Sequence, residues 1–514
     1  MFEHSVFTRR SFLAKISIAA VALQARELLA QTIPPPVPLN TPSGQINGLL
    51  LNGVRAYRGI PFAQSPVGQL RFKPPVKITP WAGVLDASKF KSAPMQSGNG
   101  RNPRLSEDCL YLNVWAPQGS GPFPAFVWIH GGGFTGGYAF DPTTNGTQFA
   151  SEGVIVVTIA YRLGVFGFLD FGELLGEEYS GSANNALKDL IAALEWIRDN
   201  IEAFGGDPDR VTVGGESAGA KLTDILMGVP SARSLFHQTI SESGGAERVA
   251  TRSGALAVAS GFADDWNRKP DSTTQSLLTA DPTAIIEVQN QFMNRWPQHF
   301  PLRCELDGSL LPRLPIETIN TGNTRGKRLL IGTNREESAL FDGPADIRDV
   351  TASDLGNLPL QNFEQVFVKY NSLFPSMTPK QLRIRALTAE EYWIPSVRVA
   401  DANDHGGGQT WMYRLDFAET GGGLKGYAYH SLEIGMVWGK PHLDVPNAAD
   451  EVSLGKQVHS AWLSFIHGDV PKADGLPTWP QYQKNSRATL TLNTQSAVEN
   501  NPQEAERKLW DGLL

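Results

Sequence analysis

A serine with glycines two positions to either side, in Gly215-Glu216-Ser217-Ala218-Gly219, is the residue of this chain best placed for covalent chemistry. The pentapeptide alone is weak evidence, because chance produces it readily in a long sequence. Its flanks are more specific. Arg210-Val211-Thr212-Val213-Gly214 reads as a short β-branched strand, and Ala218–Met227 (AGAKLTDILM) reads as a helix. A serine at such a strand-to-helix turn has its hydroxyl lifted above a sheet, and the tight turn favours glycine at positions 215 and 219. The helix N-terminus aims backbone amides at negative charge developing beside the hydroxyl. These are the needs of a nucleophile that attacks an acyl carbon.

Acyl transfer also needs donors for an oxyanion, a base, and an acid that orients the base. His130-Gly131-Gly132-Gly133-Phe134 directly follows an apolar run at residues 125–129. Its glycines let the amides of Gly132 and Gly133 come close to a substrate carbonyl, and the amide of Ala218 completes the set. The base is harder to place. His405, His430, His442, His459 and His467 all lie in the C-terminal part of the chain, and position does not choose among them.

The elements that must hold these residues follow from periodicity. Apolar runs at 125–129, 154–160, 211–213, 239–241 and 329–332 read as buried strands. Residues 186–201 place Leu187, Leu190, Ile191, Leu194, Ile197 and Ile201 on one helical face, and a second helix at 453–466 carries His459 and ends at His467. Alternating buried strands and helices predict an α/β fold, a central mostly parallel sheet with helices on both faces. Functional loops should then gather at the carboxyl ends of the strands.

Composition narrows the function further. The 514 residues are 41% hydrophobic, enough for a large core, and the net charge of −7 gives no reason to bind nucleic acid. The two cysteines, Cys109 and Cys304, allow at most one disulfide, and no CxxC or HExxH pattern suggests a metal; no cofactor is expected. Thr8-Arg9-Arg10-Ser11-Phe12-Leu13 followed by an apolar stretch at 16–23 reads as an export signal of residues 1–30, twin-arginine in type. Residues 31–514 then form one domain, with a Pro-rich extended lead-in at 33–37, and the enzyme is expected outside the cytoplasm, periplasmic or secreted. No other segment is apolar enough to span a membrane.

Several further motifs occur in order along the chain: Tyr57-Arg58-Gly59-Ile60-Pro61-Phe62-Ala63, Leu70-Arg71-Phe72, Glu107-Asp108-Cys109-Leu110-Tyr111-Leu112-Asn113-Val114, Phe204-Gly205-Gly206-Asp207-Pro208 and Leu476-Pro477-Thr478-Trp479-Pro480. With them, nearly all of the chain after the signal resembles the type B carboxylesterase and lipase family, the α/β-hydrolases that include cholinesterases and bacterial carboxylesterases. The resemblance implies an α/β-hydrolase fold and a serine ester hydrolase that works through an acyl-enzyme on a small-molecule ester. It implies that the acid lies in Gly332-Thr333-Asn334-Arg335-Glu336-Glu337-Ser338, aligned on Glu337 with Glu336 as the adjacent alternative. The family's Gly-Ala-x-His-x-x-Glu is similar to Gly426-Tyr427-Ala428-Tyr429-His430-Ser431-Leu432-Glu433, which implies His430 as the base; His405, in an apparent loop, is the competing histidine. His130 is expected to be structural, since it precedes the acid. The resemblance also implies that Ser243 places a hydroxyl beside the acid and that Arg71 and Glu107 form a structural ion pair.

The chain departs from the family in places. Met95 stands where the disulfide partner of Cys109 would fall, so two free thiols are expected, and the loop at 96–106 lacks the tryptophan that holds a quaternary ammonium, so choline esters are not implied. Lys221 either selects acidic acyl groups or pairs with a structural carboxylate. Amidase, lactonase or lipase chemistry on the same scaffold is the nearest alternative function; a catalytically inactive cholinesterase-like binding protein is the other. The oligomeric state is open.

Overall fold

The computed structural model describes residues 36–98, 104–341 and 346–513. The expected export signal at 1–30 lies outside the described residues. A thirteen-stranded sheet runs through the molecule. Its centre is seven parallel strands in the order Ile155–Ile159, Phe123–Ile129, Gly206–Glu216, Gln238–Glu242, Arg328–Asn334, Gln409–Leu415 and Ala488–Leu492. Antiparallel strands flank it, beginning with Tyr111–Ala116 on one side and Ala497–Asn500 on the other. Four of the five apolar runs fall within central strands, and the run at 154–160 overshoots its strand Ile155–Ile159 by one residue at each end. The strand before Ser217 is longer than its apolar core suggests, since Gly206–Glu216 includes the polar Asp207 to Arg210. Part of the Pro-rich lead-in enters an edge strand, Pro36–Thr41, where proline is tolerated.

Side-chain alternation along Phe123–Ile129 shows why the sheet is covered twice. Phe126 and Trp128 belong to one core with Trp438, Trp462 and Phe465, under the helix Ala448–Ile466. Ala125, Val127 and Ile129 belong to another with Leu187, Leu190 and Leu194 of the helix Asn185–Asn200, and with Leu222 and Ile225 of Ala218–Met227. Each fully buried aromatic or Leu side chain stabilises by about 1.5–3 kcal/mol relative to exposure. Helix Ala448–Ile466 starts five residues before the expected 453, because its acidic first turn is anchored: Glu451 accepts from the His442 backbone amide at 2.7 Å. His405 is not in a loop; it ends the helix Ile394–His405. Arg71 grips Glu107 in a bidentate pair at 2.5 and 2.7 Å and also donates to the carbonyls of Leu277 and Ala280, tying the N-terminal segment to the distant chain. Among the described residues no helix is long and apolar enough to cross a membrane.

The register lines up the carboxyl ends of the central strands. Ile129 pairs with Gly215, Glu216 with Glu242, and Glu242 with Gly332. The loops after these residues therefore open on the same edge of the sheet. The helix after Ser217 rides close to the neighbouring strand: a Cβ at Gly219 would lie 2.0 Å from the Ile129 carbonyl oxygen, which is backbone and cannot yield. Gly219→Ala is accordingly expected to destabilise the protein by about 2–4 kcal/mol, read as a lower urea midpoint with little change in slope.

Candidate active site

Ser217 occupies the turn between Gly206–Glu216 and Ala218–Met227 with φ 55 and ψ −121, a region that non-glycine residues rarely visit. Such a conformation costs on the order of 1–3 kcal/mol and persists only when its surroundings hold it. Two backbone bonds of 2.9 Å do so: Ser217 N–H donates to Glu242 O, and Ser217 O accepts from Lys221 N–H. The result lifts the side chain off the sheet edge and into a cavity of about 650 Å³ lined by Gly132, Gly133, Ser217, Phe300, Phe341 and His430, among others. Gly132 and Gly133 hold φ of 114 and 62, and among the described residues nothing accepts from their N–H groups. The N–H of Ala218 is a first-turn donor without an intrahelical partner.

The two adjacent glutamates turn opposite ways. Glu337, fully buried, brings Oε2 to 2.7 Å from His430 Nδ1. Its Oε1 accepts from Ser243 Oγ at 2.5 Å and from the Asn334 amide at 2.7 Å. Glu336 instead takes the Arg335 guanidinium at 2.5 Å and the Ala428 amide at 3.0 Å. The other C-terminal histidines stay away from the cavity. His405 is exposed, His442 faces Glu451, and His459 is buried between the Val437 carbonyl and Glu152. His467 faces the Glu152 carbonyl. His130 is buried, stacked on Tyr161 at 4.5 Å, and burial pushes its pKa down to about 4, so it stays neutral.

The ring of His430 is engaged on both sides. Its Nε2 lies 3.0 Å from Glu216 Oε1, and Ser431 Oγ donates to that same oxygen at 2.5 Å. Ser217 Oγ makes no hydrogen bond among the described residues, and the serine and the imidazole line the same cavity; hydrogen bonds of this kind commonly form or tighten only when substrate binds. Burial alone would lower the His430 pKa, but the carboxylates of Glu216 and Glu337 outweigh it and hold it at about 9. Burial raises Glu433 to about 8, against the hydrogen bond it accepts from Asn334, so that carboxyl is largely neutral at pH 7.

Lys221 does not offer a free cation to an acyl group. Its ammonium sits 3.1 Å from Glu391 Oε1 and donates to the carbonyls of Gly244 and Glu391. Cys109 and Cys304 are both buried free thiols. The contributions of Glu216, Ser431, Tyr392 and Phe300 were not legible in the sequence. Glu216 sits inside the serine motif as its variable residue and Ser431 directly follows His430, so motif adjacency was the one available signal; Tyr392, whose ring lies tilted with its centroid 4.8 Å from that of His430, and Phe300 carried none.

The sequence profile of the carboxylesterase family matches residues 35–510. The chain belongs to the carboxylesterase family. Para-nitrobenzyl esterase of Bacillus subtilis is 36% identical over 493 residues, covering 91% of this chain and 97% of that protein. Fumonisin B1 esterase of Sphingopyxis macrogoltabida is 32% identical, covering 91% and 88%. The solved Geobacillus stearothermophilus carboxylesterase Est55 superposes with a TM-score of 0.81 at 33% identity, over 92% of this chain and 99% of that one. This carboxylesterase is thus a carboxylic ester hydrolase with an α/β-hydrolase fold.

The charge state of His430 has a consequence for stability. Its folded pKa of about 9 exceeds the unfolded value near 6.5, so its stabilising contribution is complete below about pH 6.5 and is lost as pH rises through about 9. In urea titrations of the carboxylesterase and its His430→Gln variant, the stability gap is expected to be widest at pH 6 and to shrink steadily towards pH 10.

Proposed function

We propose that this carboxylesterase hydrolyses small-molecule esters through an acyl-enzyme on Ser217, with His430 as general base, Glu337 as the acid that orients it, and the amides of Gly132, Gly133 and Ala218 as the oxyanion hole. The observation that carries the reading is the His430 ring: Glu337 anchors its Nδ1 at 2.7 Å while its Nε2 side faces the cavity shared with Ser217, Gly132 and Gly133.

The reaction then runs in two halves. Nε2 takes the Ser217 hydroxyl proton as Oγ bonds to the ester carbonyl carbon, and the carbonyl oxygen becomes an oxyanion held by the three amides. His430 returns the proton to the departing alkoxide, which leaves as the alcohol. Water attacks the acyl carbon as it gives a proton to His430, and His430 then returns that proton to Ser217 Oγ as the acyl–oxygen bond breaks and the acid leaves. Glu337 stabilises the imidazolium, and Ser243 and the Asn334 amide keep it in place. A cavity of about 650 Å³ suits drug-sized esters, in keeping with relatives named for para-nitrobenzyl and fumonisin B1 esters. The Thr8-Arg9-Arg10 leader supports export of the folded enzyme.

A fluorophosphonate probe followed by peptide mapping should label Ser217; a label on another serine would overturn the reading. Ser217→Ala is expected to lower kcat by at least about 10⁴-fold. The neighbouring glutamates give a sharper comparison. Glu337→Gln should cost about 10³–10⁴-fold in kcat by upsetting the imidazole tautomer, whereas Glu336→Gln should stay within about tenfold. Equal losses from the two would contradict the assignment.

A further inference from the structure

Both ring nitrogens of His430 face carboxylates, and the one on the reactive side is not the proposed acid. Glu216 Oε1 holds Nε2 at 3.0 Å and accepts from Ser431 Oγ at 2.5 Å. The other oxygen of the carboxylate is pressed against the oxyanion loop: a Cβ at Gly131 would lie 2.8 Å from Glu216 Oε2. Glu216 is 4% exposed and lies at the wall of the cavity. Nε2 cannot both hold Glu216 and take a proton from Ser217. When it turns to the serine, Glu216 loses its nitrogen donor, and losing a donor costs a nearly buried carboxylate stability unless another group keeps it hydrogen-bonded.

Ser431 is placed to meet this need. It lines the same cavity, and it holds a left-handed φ of 69 that serine adopts at a cost and glycine would adopt freely. We propose that the Ser431 hydroxyl is a positioning group for the reaction: it keeps the Glu216 carboxylate hydrogen-bonded when His430 Nε2 leaves it for Ser217. The proposal rests on the Ser217 and His430 assignment above.

Several groups face His430. Glu216 comes from the serine turn, Glu337 from the end of Arg328–Asn334, Glu433 from the helix Leu432–Val437, and the Tyr392 ring from the far wall. Glu216 also feels Lys221, which is itself paired with Glu391. Of these groups only Glu216 accepts from Ser431 Oγ. Donation to Oε1 counts for more once Nε2 has gone, so the hydroxyl favours the neutral base over the resting imidazolium. Its removal makes the imidazolium harder to deprotonate.

The test is the pH profile of kcat/KM on a p-nitrophenyl ester for wild type, Ser431→Ala and Ser431→Gly, with the His430 ring titration followed by NMR of ¹³C-labelled histidine. Both variants should move the acid limb and the ring titration up by about 0.5–1 pH unit, with kcat/KM at pH 7 about three- to tenfold lower and the high-pH plateau within about twofold of wild type. Alanine keeps the left-handed strain and glycine relieves it, so equal shifts trace to the hydroxyl. A shift in the alanine variant alone would assign the effect to the backbone and overturn the proposal, as would an unmoved limb and ring titration in both. Ser217→Ala separates the two readings. If it stays active the triad itself fails; if it is inactive while the Ser431 variants titrate like wild type, only the present proposal fails.

Discussion

A carboxylate with every oxygen already committed is what the proposed active site is built on. Glu337 accepts from Ser243 Oγ and the Asn334 amide on one oxygen and faces His430 Nδ1 with the other. These hydrogen bonds take the place of the solvent that a fully buried carboxyl has lost, and the imidazole adds a further polar partner. The three partners come from different places: the turn after Gln238–Glu242, the end of Arg328–Asn334, and the loop before Leu432–Val437. They meet because the sheet register brings Glu242 beside Gly332 and because Ser243 N–H donates to Gly332 O at 2.8 Å. The imidazole's orientation is thus set by strand pairing as much as by its own loop.

Around that contact the protein buries more acid than base. Glu216, Glu242, Glu337 and Glu433 are all nearly inaccessible, with one histidine among them. The balance is kept by chemistry rather than by added cations. Burial raises the pKa of Glu242 and Glu433, which favours their neutral forms, while His430 is driven to its charged form. Trp462 and Asn334 donate to these two buried carboxyls at 2.8 and 2.5 Å. His430 is thus held largely as imidazolium at pH 7, and in the proposed mechanism it must lose that proton before it can accept one from Ser217.

Legibility tracked how local the decisive contacts are. Ser217 was readable because its strand, turn and helix are contiguous, and the helix bounds Ala218–Met227 agree with the sequence pattern residue for residue. Five of the seven central strands were readable because burial on both faces leaves continuous apolar runs, whereas Gln409–Leu415 and Ala488–Leu492, with polar residues interleaved, were not. The edge strands were not, since one-sided exposure and prolines break that signal. Glu336 and Glu337 are one residue apart and chemically alike. What separates them is the direction each side chain takes at the start of a short 3₁₀ turn, which no composition encodes. The second helper on His430 was hidden for a different reason: Glu216 looked like filler between the motif glycine and the serine.

By itself the sequence determined the inventory: a strand–serine–helix turn, a glycine loop after a strand, alternating apolar elements enough for a doubly covered sheet, and a family-like order of motifs. Those features depend on neighbours within a few residues, where propensity and periodicity act. The tertiary structure alone decided that Lys221 is taken up by Glu391 and that Ser431 donates, across 215 residues of chain, to the Glu216 oxygen beside His430 Nε2, and it brings Glu337, which the family resemblance had aligned as the acid, to the imidazole. Such pairings are chosen by how the strand ends align in space, and a contact between distant residues becomes readable only once the sheet that aligns them has formed.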